Sequence, residues 1–160
     1  MKKLIAIVFA SLLSACATAP RQPISPAENL VSSLTDTGWY ITHKTSDENA
    51  LAFCLENPGV AAQTGTDRTM IFCEPQVTAD TLLHETAHAL QLCNKDPRRF
   101  NPIFAGKVDW DEQAVLYITL LNRDGEDNAF VLRLELEAVH FAETYTMTEA
   151  AGLVYEFCGQ

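Results

Sequence analysis

Positive charge is scarce in this chain. Its 160 residues hold 11 Lys and Arg against 21 Asp and Glu, a formal net charge of -10 at pH 7. So acidic a balance argues against nucleic acid as a partner and against charge-driven adhesion to anionic lipid. Internal repeats and long low-complexity tracts are absent, so the chain is not a repeat array. Long hydrophobic runs are absent too. The one apolar stretch at the N-terminus, Leu4 to Leu13, is too short for a membrane-spanning helix. Cysteine is limited to five residues.

That N-terminal stretch reads as a signal peptide. Lys2 and Lys3 precede it as a positive n-region, and Leu13-Ser14-Ala15-Cys16 follows it. The tetrapeptide resembles the lipobox of bacterial lipoproteins. The resemblance implies cleavage after residue 15 and lipidation of Cys16. Ala17, rather than Asp, resembles the outer-membrane sorting pattern of such proteins. The expected product is lipid-anchored in the cell envelope, at the outer membrane facing the periplasm. Several acyl chains would anchor it stably, each buried methylene adding about 0.8 kcal/mol. Residues 16–27, with Pro20, Pro23 and Pro26, read as a tether. Residues 28–160 are long enough for one domain.

With Cys16 assigned to lipid, Cys54, Cys73, Cys93 and Cys158 remain. Four cysteines in an oxidising compartment suggest two disulfides, with three pairings possible. Cys54–Cys73 is favoured because both flanks read as strands. Cys93–Cys158 would then tie a central helix to the C-terminus.

Within the domain, Glu28 to Leu34 reads as a short helix. Trp39 to Lys44, Leu51 to Leu55 and Thr69 to Cys73 read as strands. Asn57-Pro58-Gly59 and Gly65 to Arg68 are turn signals. Thr78 is a plausible cap for a helix over Ala79 to Cys93. Asn94 to Val108 reads as loop, Asp111 to Leu121 as helix, and Asn122 to Asp127 as a turn. Helices over Asn128 to Thr144 and Thr148 to Phe157 complete the pattern.

The Ala79 to Cys93 helix carries His84-Glu85-Thr86-Ala87-His88. Residues i and i+4 sit about 40° apart on one helix face, so both imidazoles can reach one metal ion. Glu85 lies about 100° round, beside the metal, where a base for a metal-activated water is wanted. The string fits H-E-x-x-H and resembles the zinc-binding helix of the zincin-like metallopeptidases. The resemblance implies an α+β fold, a small zincin-like domain with a short mixed sheet packed on that helix and C-terminal helices following. It also implies a cleft whose edge strand can pair with an extended peptide.

A catalytic zinc site needs a third protein ligand. The metzincin pattern fails, because Asn94 and Gln91 stand where its His and Gly would be. In gluzincins the third ligand is a glutamate on a later helix. Glu137-Ala138-Val139-His140-Phe141-Ala142 resembles the Glu-Ala-x-x-Phe-Ala string of small gluzincins such as the ImmA/IrrE-like peptidases, so Glu137 is the first choice. Glu143 is the runner-up. Glu135 ranks behind them, being two residues from Glu137 and on nearly the opposite helix face. His140, one turn from Glu137, is the candidate to stabilise an oxyanion, with Tyr145 and Tyr155 as weaker candidates. Gln91 and Asp80 are candidates to support the ligands. His43 has no ligand spacing.

The expected function is a zinc-dependent endopeptidase of the bacterial cell envelope, acting on a protein or peptide. The ligands are His84, His88 and Glu137, and the base is Glu85. The alternative is a non-catalytic zinc-binding or interaction lipoprotein.

Overall fold

The computed structural model describes residues 25–94, 101–103 and 129–159. The expected signal peptide, Cys16, the tether before residue 25, the helix at 111–121 and the turn at 122–127 lie outside these residues. So does most of the expected loop at 94–108.

Helix α1 spans Pro26–Asp36. Ser25 and Glu28 form a reciprocal capping box and Pro26 occupies the first turn, so the helix starts two residues earlier than expected. Leu30 and Leu34, one turn apart, are fully buried. Gly38 takes a φ of 89° after the helix and turns the chain into buried Trp39 and strand β1, Tyr40–His43.

Helix α2, Glu48–Glu56, replaces the strand expected over Leu51 to Leu55. Asp47 caps it by accepting the amides of Asn49 and Ala50. Leu51 and Leu55 are one turn apart and both exposed, and only Ala50 is buried, so the apolar run never served a sheet face. Cys54 therefore reaches Cys73 from a helix rather than from a strand.

Strands β2, Ala62–Thr64, and β3, Thr69–Phe72, form a hairpin. The sheet order is β1-β3-β2, with β1 parallel and β2 antiparallel to β3. No expectation had been attached to β2. Three residues between two turns are too few to show a period.

Helix α3, Ala79–Cys93, is capped by Thr78 and carries the metal motif. Helix α4, Ala129–Thr144, packs along it. Helix α5, Met147–Cys158, begins at a second capping box, Thr146 with Glu149, and packs against both α3 and α1. Ala87, Ala89, Ala138, Ala150 and Ala151 lie buried in the core, and such small side chains let the helices approach closely. Every residue from Glu85 to Leu92 is buried. The architecture is thus α+β, five helices around a three-stranded mixed sheet among the described residues. None of those helices is long and apolar enough to cross a membrane.

Two disulfides, Cys54–Cys73 and Cys93–Cys158, close the favoured pairing. They span 19 and 65 residues. Chain entropy makes these worth about 3 and about 4 kcal/mol. The Cys93→Ser/Cys158→Ser double variant is therefore expected to lose more stability in urea unfolding than Cys54→Ser/Cys73→Ser. The reverse order would show that loop length is not the governing term.

Candidate metal centre

His84 and His88 project from one face of α3, with their Nε2 atoms 3.2 Å apart. The carboxylate that meets them is that of Glu135 on α4. Its Oε2 lies 3.3 Å from His84 Nε2 and its Oε1 3.4 Å from His88 Nε2. One ligand atom from each of the three falls within 4.8 Å of the others, so the group could hold a metal ion.

Glu137, expected as the third ligand, is elsewhere. It is fully buried between α3 and α4, with Oε2 3.3 Å from Gln91 Nε2 and accepting the Ile103 amide at 2.8 Å. The two glutamates do occupy opposite faces of α4, as their spacing requires. Leu134, Glu137, Ala138 and Phe141 turn into the core, whereas Glu135, Val139, Ala142 and Glu143 line a cleft. A helix period shows which residues share a face but not which face meets the histidines.

That cleft has a volume of about 700 Å³ and runs between α4 and the chain leading into β2. His84 and Glu85 form its floor beside Glu135, with Asp80 and Glu74 also lining it. Glu143, the expected runner-up, lines it but stands outside the three-residue group. His140 does not line the cleft; its Nδ1 is 3.4 Å from Thr144 Oγ1 on its own helix. Tyr145 stacks on Phe141 at 4.6 Å, and Tyr155 donates to Asp36 Oδ2 at 2.8 Å. His43 contacts Thr45 Oγ1 and the Glu74 carbonyl and is not among the residues lining the cleft.

Glu85 is buried on α3, and Thr64 Oγ1 donates to its Oε2 at 2.6 Å. Burial raises the Glu85 pKa above the ordinary carboxylate value, against the opposing pull of His88, Thr64 and His84. Sequence reasoning did not find Thr64. It lies in the short strand β2, and nothing in its local pattern marks it. On the far side of His88, Nδ1 is 2.8 Å from Gln91 Oε1.

No protein-family profile matches the chain, and no curated protein or solved structure matches it either.

Burial alone would lower the His88 pKa, but the hydrogen bond and charge of Glu135, the charge of Glu85 and the Gln91 contact outweigh it and leave it raised. Burial likewise pushes Glu135 up, yet the two histidines bring it far below the usual carboxylate range. A raised imidazole pKa stabilises the fold fully below its ordinary value of 6.5, and that contribution fades as pH rises through the raised value. A lowered carboxylate pKa stabilises it above 4.5, fading as pH falls through the lowered value. In metal-free protein the thermal midpoint advantage over Glu135→Gln is therefore expected to be largest between those two values and to shrink above 6.5. An advantage independent of pH would show that this cluster is not coupled to folding.

Proposed function

We propose that the chain is a zinc-dependent endopeptidase of gluzincin type, carried on an envelope lipoprotein. The observation that carries this reading is the meeting of His84, His88 and Glu135 at one point, with Glu85 beside them in an open cleft. The two imidazole Nε2 atoms are 3.2 Å apart, close to the spacing of two ligands on one zinc, and each faces a different oxygen of Glu135, at 3.3 and 3.4 Å. Ligands about 2.0–2.1 Å from a tetrahedral zinc ion stand about 3.3–3.4 Å from one another. Two imidazoles and one carboxylate are also the donor set of a catalytic rather than a structural site, leaving one position open.

When bound, zinc supplies Lewis acidity, which makes a water acidic near neutral pH and polarises a carbonyl. The remaining work falls to the chain. Glu85 takes the proton of the attacking water and passes it to the leaving amine. Thr64 holds Glu85 Oε2, which leaves the lone pairs of Oε1 for that transfer. The raised pKa of Glu85 makes it a better proton acceptor than an exposed glutamate.

Strand β2 supplies a place for the substrate. Ala61, Gln63 and Gly65 face β3 in the hairpin, as the Cys73-to-Ala61 and Gly65-to-Thr69 bonds require. The N–H and C=O groups of Ala62 and Thr64 therefore turn to the outer edge. An extended peptide can pair there as an added strand, alongside Glu85. The two disulfides agree with an oxidising compartment, as the lipobox-like Leu13 to Cys16 implies.

The test begins with zinc content in protein lacking the first sixteen residues. About one zinc per chain is expected, retained in Glu143→Ala and lost in Glu135→Ala. Glu85→Gln is expected to keep zinc and lose peptide hydrolysis by about 10²-fold or more. Full turnover by Glu85→Gln would refute the mechanism. Zinc without hydrolysis of any peptide by the wild type would leave a zinc-binding lipoprotein.

A further inference from the structure

We propose that Gln91 and Glu137 form a buried relay that keeps the proton of His88 on Nδ1 and so presents Nε2 to the metal. The purpose assigned to the relay rests on the metal-site reading above. Its donor and acceptor order does not.

The order follows from what each group can do. Gln91 Nε2 lies 2.9 Å from the Leu134 carbonyl and 3.3 Å from Glu137 Oε2. A carbonyl and a carboxylate only accept, so the amide nitrogen of Gln91 must face them. Its Oε1 is then directed at His88 Nδ1, 2.8 Å away. An amide oxygen only accepts, so Nδ1 must carry the hydrogen. Nε2 is left to His84 and Glu135, at the point where the ligand atoms converge.

Glu137 anchors the far end. Its Oε2 also accepts the Ile103 amide at 2.8 Å, and Arg133 Nε stands 3.7 Å from its Oε1. Gln91 and Glu137 are both fully buried. Water therefore cannot stand in for either partner, and reversing the amide would set its oxygen against two acceptors. A packing role needs neither group, because Leu or Met fills such a volume without polar atoms to satisfy. The relay explains why a carboxylate sits in the core of α4 one face away from the ligand carboxylate. Glu137 is thus a positioning residue, acting on His88 through Gln91.

Imidazole nitrogen-15 spectra of metal-free wild-type protein, at a pH where the ring is neutral, test the order directly. A protonated Nδ1 on His88 is expected, and an unprotonated Nδ1 would overturn the proposal whether or not zinc binds. Zinc affinity, measured by competition with a chelating dye, tests the consequence. Gln91→Met keeps the volume and removes the relay, and is expected to bind zinc about 10- to 100-fold more weakly. Glu137→Gln keeps an acceptor oxygen for Gln91 and Ile103, and is expected to stay near wild type. Wild-type affinity in Gln91→Met would overturn the relay while leaving the metal site intact. A protonated Nδ1 in a wild type that takes up no zinc would sink the peptidase reading and leave the order of the relay standing.

Discussion

The burial of α3 is the constraint on which the other features depend. From Glu85 to Leu92 the helix has no exposed residue, yet four of those eight side chains are polar. Each must find a partner or cost the fold its desolvation energy, about 1–3 kcal/mol for a neutral group and more for a charge. Thr86 returns its hydroxyl to the Leu82 carbonyl. Glu85 takes Thr64, His88 takes Gln91 and Glu135, and Gln91 takes Glu137 and Leu134. These partners come from β2 on one side and α4 on the other. The polar demands of one helix thus orient the two elements that wall the cleft.

Much of this was legible in the sequence because it is local. The cap at Thr78, the turn at Gly65 to Arg68 and the apolar spacing of α3, α4 and α5 mark their elements within a few residues. The histidines needed only the i, i+4 rule. The failures share a different cause. At Leu51 to Leu55 an apolar run was taken for a sheet strand, although an Asp cap and Ala, Leu and Glu residues favour a helix whatever the run buries. Strand β2 was too short to show alternation. The disulfide between Cys54 and Cys73 was paired correctly for a reason that does not hold, since one of its flanks is helical.

The choice among Glu135, Glu137 and Glu143 was beyond local pattern. A buried carboxylate on an apolar helix is conspicuous, and Glu137 is the most buried of the three. But a ligand must stand where the histidines converge, and Glu137 is engaged instead by Gln91 and the Ile103 amide. Glu135, with 38% of its side chain exposed, meets that condition. Only the way α4 lies on α3 decides which glutamate has which surroundings.

The same arrangement also sets the electrostatics of the candidate metal group. His84, His88 and Glu135 bring one ligand atom each within 4.8 Å of the others. Against the cost of burial, the histidines lower the Glu135 pKa and Glu135 raises that of His88, so each favours the charged form of the other. A divalent cation held there would compete with protons for the same ligand atoms. That competition would depend on pH, because the ligands must give up their protons before they can coordinate. A site held this way by interlocking hydrogen bonds in the core is a property of the packing between two helices, and the cleft is the solvent-facing side of that packing.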